Sequence, residues 1–285
     1  MADSKFLSKA ADEREGGLAH ANKKALLAIS YGSGCGVSEA VVAIEKSLSR
    51  ACPDCALRRA FISQRTADMY TMKSGLSIDT VAQAMDRLEK EGFCEVTIQP
   101  LLIMGGRTLD SATDAIMKYE SRFSAVNLGL PLLSSDEDYE KAASTLSESV
   151  RPYAEAGTAI VFIGHGTEHE ANSGYNRMAE ALAKRSACIF VGTIAAEPSM
   201  KDVLRQVSQS KASKAALLPM MISAGNHASR EIAGDRRDSW KTSFESIGYK
   251  VLCIMKGLGE YQGIQELFAS HALKAEKLGS GSYKD

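Results

Sequence analysis

Short apolar runs that end in glycine-containing loops recur along this chain and limit its fold more than any other feature. Three of them lie at residues 24–30, 161–163 and 215–222. Such a run predicts a buried parallel strand, because a strand covered on both faces has no polar side. Loops at the carboxyl ends of parallel strands form the edge at which α/β proteins bind ligands. The runs therefore predict an α/β protein with a ligand-binding edge.

Amphipathic helices are predicted between these strands. Residues 38–50 repeat apolar side chains at helical spacing, with Ser38 placed to cap the first turn. Residues 79–91 show the same spacing and are followed by Gly92, a residue typical of helix ends. Strands that alternate with helices favour doubly wound parallel sheets.

The two halves of the chain are similar, which predicts an internal duplication with two similar α/β lobes. The similarity pairs residues 30–33 with 164–167, 59–63 with 193–197, and 99–106 with 218–225. Two copies of one strand–helix unit are the simplest explanation. The predicted lobes are residues 23–135 and 136–278. Residues 1–22 and 279–285 are predicted to be disordered tails.

Composition and charge argue against several classes of protein. The net charge of -1 gives no reason to expect binding to nucleic acid, and no apolar run reaches the roughly 20 residues of a membrane helix. Residues 1–22 lack the apolar segment of a secretory signal. Six cysteines are too sparse for a disulfide framework in 285 residues. These features favour a soluble protein of the cytoplasm.

Two histidines lie at the ends of equivalent strands. His165 and His227 each follow an apolar run, in a chain with only 5 histidines. A neutral imidazole binds first-row divalent metals and accepts protons near neutral pH. We therefore interpret both as catalytic residues and metal ligands. The first half has Tyr31 and Thr108 at the matching positions, so the second half is expected to carry the chemistry.

Glu197 is the candidate third ligand. It ends the strand that lies between the two histidines in sequence, and it would complete a site of two histidines and one carboxylate. The alternative is that Glu197 and Pro198 simply start a helix. In the aligned first half, its place is taken by Ser63.

Residues 165–169 also match H-x-x-E-H, the inverted zinc-protease pattern. That chemistry needs both histidines on one face of a helix, whereas glycines flank His165 just after a strand. His169 is therefore expected to be an entrance or surface residue. A zinc hydrolase would instead hold zinc tightly through His169.

The loop after the first strand is a candidate substrate contact. It contains Ser30, Tyr31, Gly32 and Ser33. Its glycines, like Gly166 in the second half, allow the backbone to approach a ligand closely. It is not a dinucleotide-binding fingerprint, because Val37 stands where the third glycine is required. Met104 is a candidate to line a site for a flat apolar ligand, with core packing as the more frequent use of methionine.

Several stretches together resemble the anaerobic sirohydrochlorin cobaltochelatases, the class II metal chelatases of cobalamin biosynthesis. The resemblance extends over residues 23–275 and includes Phe-Ile-Gly-His-Gly at 162–166 and Ala-Gly-Asn-His-Ala at 224–228. The other stretches that carry it are residues 23–27, 30–33, 52–54, 129–135, 218–221, 238–241 and 257–260.

This resemblance implies two similar lobes with a cleft between them, where a metal-free tetrapyrrole binds and a divalent metal is inserted. It also implies that His165 and His227 bind the metal and that His165 accepts a proton. The acidic ligand of the family falls at Ala195, so Glu197, which is expected on the same face of a strand, would substitute for it.

The chain departs from the family pattern at two further places. A histidine common in the family is replaced by Leu102, and an acidic residue followed by tyrosine is missing near residues 107–109. Arg107, Arg177 and Arg230 are candidates to meet the carboxylates of the ring, with ordinary surface charge as the alternative.

We predict a chelatase that inserts Co²⁺, its metal substrate, into sirohydrochlorin or a related tetrapyrrole, with no permanently bound cofactor. A homo-oligomer that binds neither nucleic acid nor a membrane is expected. Two alternatives stay open. One is a diverged paralogue that binds tetrapyrrole or metal without turnover, and the other is an enzyme that inserts iron or nickel.

Overall fold

A computed structural model describes residues 23–32, 36–225 and 228–278 of the chain. The predicted tails at 1–22 and 279–285, and the candidates Ser33 and His227, lie outside the described residues. The first half contains strands β1 (Lys24–Ser30), β2 (Cys55–Phe61), β3 (Glu95–Pro100) and β4 (Ala125–Leu128). Its helices are α1 (Glu39–Ala51), α2 (Gln64–Ser74), α3 (Val81–Lys90) and α4 (Arg107–Met117).

The second half repeats the alternation of strand and helix. Its helices are α5 (Asp136–Ser149), α6 (Ser173–Ala183), α7 (Met200–Gln209), α8 (Trp240–Ser246) and α9 (Gln262–Leu273). Its strands are β5 (Thr158–Gly164), β6 (Ile189–Thr193), β7 (Lys214–Pro219), β8 (Lys250–Cys253) and β9 (Glu276–Lys277). A π-helical turn at Ala228–Ile232 follows β7. None of the described helices is long and apolar enough to cross a membrane.

Helix caps and apolar faces explain why these segments are helical. The Ser38 hydroxyl accepts a hydrogen bond from the Val41 amide (3.2 Å), which confirms the predicted cap of α1. Thr80 and Gln83 form a capping box at the start of α3. The apolar face of α3 is buried at Val81, Ala84, Met85 and Leu88. Packing of such faces on the sheets supplies most of the stability of the helices.

Two parallel sheets with the same strand order confirm the predicted α/β class and its duplication. The first sheet has the order β2-β1-β3-β4, and the second has the order β6-β5-β7-β8. All pairs within these two sets are parallel. Among the described strands, β9, which pairs with β4 at the edge of the first sheet, alone runs antiparallel.

Hydrogen bonds give the register of the duplication. The Leu101 amide donates to the Ile29 carbonyl, and the Met220 amide donates to the Ile163 carbonyl, both at 2.7 Å. These equivalent bonds confirm the predicted alignment of residues 99–106 with 218–225.

The predicted alignment of the second strands is wrong by two residues. Ser30 pairs with Phe61 and Gly164 pairs with Thr193, so Thr193 matches Phe61 and not Arg59. The spacing of hydrogen-bonded pairs, rather than similarity of side chains, fixes which residues are equivalent. Ser63 consequently matches Ala195, and Glu197 lies in a longer loop without a counterpart in the first half.

By its equivalence to α9, helix α5 is the last helix of the first repeat, although it lies in residues 136–278, and the last helix of each repeat packs on the other repeat. The loops before α5 and α9 are equivalent because their amides donate to carbonyls at matching positions of the two repeats. The Leu132 amide donates to the Leu102 carbonyl, and the Leu258 amide donates to the Met221 carbonyl. Helix α5 contacts α6 of the second repeat, whereas α9 contacts α1 of the first, and α5 and α9 contact each other. The division into lobes at residues 135 and 136 stays a prediction, since α9 and β9 return to the first sheet.

A shared apolar core joins the two sheets. It contains residues of α1 and β1 from the first repeat, β5 and β7 from the second, and the returning α9. Its buried members include Leu26, Ile44, Phe162, Leu218 and Phe268. The carboxyl ends of both sheets therefore belong to one packed body.

Candidate functional site

His165 follows the last residue of β5 at the carboxyl edge of the second sheet. Its side chain is exposed, although every residue of β5 is buried. The ring nitrogen Nδ1 donates to the Gly166 carbonyl at 3.0 Å. In the neutral ring the lone pair is then on Nε2, the nitrogen that can bind a metal or accept a proton. The described structure thus places His165 where the sequence predicts a functional histidine.

Two glycines determine where this imidazole stands. A Cβ atom on Gly164 would overlap the ring of Tyr175. Gly166 has φ +80, and a Cβ atom there would lie 2.9 Å from both the Ala196 nitrogen and Thr193 Oγ1. A larger residue at either place would push the turn away from its neighbours. The glycines that flank His165 are therefore required by close packing.

Tyr175 supports the turn from below. Its side chain is buried, and its hydroxyl accepts a hydrogen bond from the Gly166 amide at 3.4 Å. Burial raises the pKa of Tyr175, although hydrogen bonds from the backbone of Gly166 and His165 partly oppose this. The phenol stays neutral and acts as a fixed partner of the turn.

Glu197 lies in a loop that a buried threonine shapes. Thr193 Oγ1 donates to the Ala196 carbonyl (2.5 Å) and accepts from the Ala196 amide (3.1 Å). Glu197 is exposed, and its Oε2 accepts a hydrogen bond from the Ser199 amide (2.9 Å) at the start of α7. This contact is the one that the helix-start alternative describes. The role of Glu197 as a metal ligand stays a prediction.

Asn172 joins the Glu197 loop to the His165 turn, and sequence reasoning did not single it out. Its Nδ2 donates to the Glu197 carbonyl at 2.6 Å, and its Oδ1 accepts from the Thr167 amide at 3.0 Å. The Ala195 amide donates to the His165 carbonyl at 2.9 Å. Two backbone segments that sequence reasoning linked only through their side chains are thus in direct contact.

The loop after β1 presents a different surface. Tyr31 is 56% exposed, whereas Ser30 is buried and its carbonyl accepts from the Ile62 amide at 2.8 Å. Gly32 has φ +83, and a Cβ atom there would overlap the ring of Phe61. Tyr31 is therefore the part of this loop best placed to touch a substrate by its side chain, while Ser30 offers little exposed surface.

Loops that follow strands of the two repeats meet each other. The Ser38 and Ser223 hydroxyls lie 2.6 Å apart, so the cap of α1 contacts the loop after β7. Met104, at the position equivalent to Ser223, fits against Gly174 and is partly buried on the shared core. A packing role accounts for these contacts of Met104, and a role in substrate binding stays a prediction.

His169 does not have the surroundings that a zinc hydrolase needs. It precedes a short 3-10 turn at Glu170–Asn172, and its Nδ1 accepts from the Ala171 amide at 3.1 Å. Residues 165–169 form no helix, so His165 and His169 do not share a helical face. His169 instead lies against Gly106 of the first lobe, with Nδ1 3.6 Å from the place of a Cβ atom.

The three candidate arginines differ in their surroundings. Arg177 forms an ion pair with Asp136 and lies 4.2 Å from the centre of the Tyr139 ring. Arg107 is exposed at the first residue of α4, and Arg230 is exposed in the π-helical turn. Arg107 and Arg230 are better placed than Arg177 to meet an anionic ligand.

Acidic, histidine and cysteine side chains do not form a ready group of three ligands in residues 23–32, 36–225 and 228–278. His227, the predicted second ligand, lies outside these ranges. Of the three predicted metal ligands, the described residues contain His165 and Glu197, whose backbone segments are in contact, and their role in metal binding stays a prediction.

Known proteins share both the sequence and the fold of this chain. A family model described as Cobalt chelatase (CbiK) matches residues 24–277. The sirohydrochlorin cobaltochelatase of Salmonella typhimurium is 31% identical over 257 residues, covering 89% of this chain and 96% of that protein. The sirohydrochlorin cobaltochelatase CbiKC of Nitratidesulfovibrio vulgaris is 27% identical over 259 residues, covering 89% of this chain and 90% of that protein.

Among solved structures, SirB from Bacillus subtilis with Fe³⁺ superposes with a TM-score of 0.60 at 14% identity. The match covers 88% of this chain and 95% of that one, and it shows that the two share a fold. The fold is therefore that of the chelatases. The family match goes further, and this chain belongs to the cobalt chelatase (CbiK) family.

Proposed function

We propose that this protein inserts Co²⁺ into sirohydrochlorin or a closely related metal-free tetrapyrrole. The observation that carries the proposal is the exposed imidazole of His165, held at the carboxyl edge of β5 by two glycines in a chain of the cobalt chelatase family. The curated relatives that it matches are named sirohydrochlorin cobaltochelatases. Co²⁺ would be the metal substrate of this reaction and not a resident cofactor.

His165 has the right chemistry for the central step. Insertion removes two pyrrole protons while the metal exchanges its protein ligands for ring nitrogens. With Nδ1 donating to the Gly166 carbonyl, Nε2 of the neutral ring can accept a proton or hold the ion. An imidazole binds first-row divalent metals without the permanence of a closed ligand cage, so the ion can leave for the ring.

The other ligands in the proposal are His227 and Glu197. His227 enters through the family resemblance, and Glu197 through its place beside the His165 turn. A carboxylate that accepts a backbone hydrogen bond, as Glu197 does from Ser199, can still bind a metal, since ligating carboxylates are usually hydrogen-bonded themselves.

The ring would contact exposed groups at the carboxyl edges of both sheets. Tyr31 offers an aromatic face, Gly32 and Gly166 allow close approach of the backbone, and Arg107 and Arg230 can pair with ring carboxylates. We place the reaction in the cytoplasm, and we expect the protein to form a homo-oligomer.

The test is an insertion assay with purified protein, sirohydrochlorin and Co²⁺, followed by the change in absorbance of the ring. We expect a rate well above that without protein, and His165→Ala should lower it at least about 100-fold, the lower end for loss of a general base. His169→Ala removes an imidazole from the same loop and is the matched control. It should change the rate by no more than about threefold, because His169 has no part in the proposed chemistry.

Other outcomes separate the alternatives. Tight binding of sirohydrochlorin or Co²⁺ without faster insertion would contradict the proposal and favour a carrier. Faster insertion of Fe²⁺ or Ni²⁺ than of Co²⁺ would correct the metal. Loss of a stoichiometric zinc ion in His169→Ala would support the zinc hydrolase.

A further inference from the structure

We infer that Asn172 is a positioning residue that holds the Glu197 loop against the His165 turn and thereby sets the affinity for the metal substrate. The inference rests on the proposed function, since it assumes that Glu197 and His165 share one ion. It concerns the backbone that carries these side chains, which the family resemblance does not address.

The Asn172 amide bridges two main-chain segments. Its Nδ2 donates to the Glu197 carbonyl (2.6 Å), and its Oδ1 accepts from the Thr167 amide (3.0 Å). Both partners are backbone atoms, so the bridge fixes where the chain runs and not only how a side chain turns. A single planar group thus links the residue that bears the carboxylate to the loop that follows the imidazole, in addition to the bond between the Ala195 amide and the His165 carbonyl.

Asn172 does not use its side chain in the way that its place in the sequence suggests. It is the residue before α6, where asparagine commonly caps the helix by accepting from one of its first amides. Here its side chain makes no capping hydrogen bond, and its backbone is already helical (φ -59, ψ -27). The amide group is directed to the two loops instead, and the helical segment is capped three residues earlier by His169.

Several contacts hold the base of the bridge in place. The backbone amide of Asn172 donates to the His169 carbonyl at 2.9 Å. Three residues later, Tyr175 is buried beneath the His165 turn and bonds the Gly166 amide. Helix α6 also packs on β6, the strand that leads into the Glu197 loop. Asn172 and Tyr175 therefore connect the same helix to the turn at two points.

Thr193 holds the Glu197 loop at Ala196 and Pro198, and Asn172 adds the contact at Glu197 itself. One end is held where the Ala195 amide donates to the His165 carbonyl (2.9 Å), and the other end continues into α7 through Ser199. Asn172 contacts the loop at Glu197 itself, the exposed residue whose carboxylate is proposed to bind metal. Loss of a partner that orients a metal ligand typically costs about 10- to 100-fold in metal affinity.

The experiment measures Co²⁺ binding by titration calorimetry and Co²⁺ insertion by steady-state kinetics in the full chain. Asn172→Leu should raise the Kd and the KM for Co²⁺ about 10- to 100-fold, with a smaller change in kcat. Asn172→Asp keeps the acceptor for Thr167 but places an oxygen against the Glu197 carbonyl, so it should be impaired to a similar degree. Asn127→Leu, an asparagine of β4 in the first sheet, is the control and should bind Co²⁺ like the wild type.

A double-mutant cycle tests whether the effect passes through Glu197. Glu197→Gln should itself weaken Co²⁺ binding, and Asn172→Leu should add little in that background. If Glu197→Gln leaves the affinity unchanged, or if the two losses simply add, Asn172 does not act through Glu197 and the inference is wrong.

Two further results would overturn the inference. One is a Kd for Co²⁺ within about twofold of wild type in Asn172→Leu together with a lower free energy of unfolding, which would make Asn172 merely structural. The other is wild-type affinity in Asn172→Asp, which also decides the matter if Asn172→Leu fails to fold. A wild-type protein that binds Co²⁺ but does not accelerate insertion would contradict the proposed function alone, because the Kd values still judge Asn172.

Discussion

The loop after β1 and the loop after β5 occupy equivalent places in the two repeats but differ in what surrounds them. In both, an exposed side chain is followed by a glycine with positive φ: Tyr31 by Gly32 and His165 by Gly166. The next strand lies close to each glycine, through the Phe61 ring in the first repeat and through Thr193 Oγ1 in the second. The shared geometry shows that the fold alone creates an exposed position at this edge.

What differs is the polar support. Phe61 packs edge-on against Tyr70, at 5.7 Å between ring centres, and leads after two residues into α2. Its equivalent Thr193 instead hydrogen-bonds Ala196 and shapes the loop that presents Glu197. A buried aromatic ring in one repeat and a buried hydroxyl in the other thus give the two exposed residues different surroundings. We therefore predict that the proposed chemistry depends on this support as well as on the histidine.

Exchanging the side chains of Tyr31 and His165 tests that prediction and should give the largest effect of the variants considered. The double variant Tyr31→His, His165→Tyr moves the imidazole to the equivalent place in the first repeat. We expect Co²⁺ insertion to fall at least about 100-fold in the absorbance assay, because Glu197 and the Asn172 bridge exist only in the second repeat. Tyr31→His alone, which keeps His165, is the control. Substantial activity in the exchanged protein would mean that the two edges are interchangeable.

Alanine at the two glycines sharpens the comparison at the level of stability. Gly32→Ala and Gly166→Ala should each lower the free energy of unfolding by at least about 2 kcal/mol. Each adds a Cβ atom to a residue with positive φ, at a position where neighbouring atoms leave no room for it. Urea denaturation measures the loss. Gly248→Ala is the control for the positive φ alone, since nothing lies near its Cβ position. Equal losses in all three would show that close packing does not matter.

Helices α5 and α9, each of which packs on the other repeat, differ as well, and this difference gives the smallest predicted effect. Asp138 of α5 is buried and accepts from the His271 ring of α9 (2.9 Å), which also donates to the Leu130 carbonyl (3.2 Å). The equivalent residue in α9 is Ile264. Burial raises the pKa of Asp138, but hydrogen bonds from His271 and Ser135 outweigh it and hold the pKa below the usual range. The ionised carboxylate therefore stabilises the fold.

Because its pKa is lower in the folded state, Asp138 contributes stability that is present at neutral pH and lost as pH falls below about 4. Asp138→Asn should be less stable than wild type by about 1–3 kcal/mol at pH 7, and the difference should shrink in acid. Urea midpoints between pH 7 and pH 3 measure this. Parallel curves for the two proteins would exclude Asp138 as the source of acid sensitivity.

Much of the fold was predictable because buried parallel strands leave a clear apolar record. The two sheets, the duplication and the exposed position of His165 follow from that record. The pairing of residues 59–63 with 193–197 is wrong because it keeps the sequence offset of residues 30–33 and 164–167, whereas hydrogen-bond register pairs Ser63 with Ala195. Sequence comparison of the two halves does not reveal that the loop after β6 is longer than the loop after β2.

Asn172 was missed for a related reason. An asparagine before a helix indicates a cap, and nothing in the sequence shows that its amide turns toward Thr167 and Glu197 instead. Such a bridge depends on three segments that meet only after the chain has folded. The supporting residues of a site are therefore harder to predict than the residue that they support.

The crossing of α5 and α9 limits how a chain of this kind can be shortened. A chain of half the length, ending after one such helix, would leave the apolar face of that helix in water, since each packs on the opposite repeat. Only a symmetric pair of half-length chains, each covering the other, would bury both faces. The present protein has the layout of two such subunits fused end to end, in which one half could drift in sequence while the other kept its imidazole.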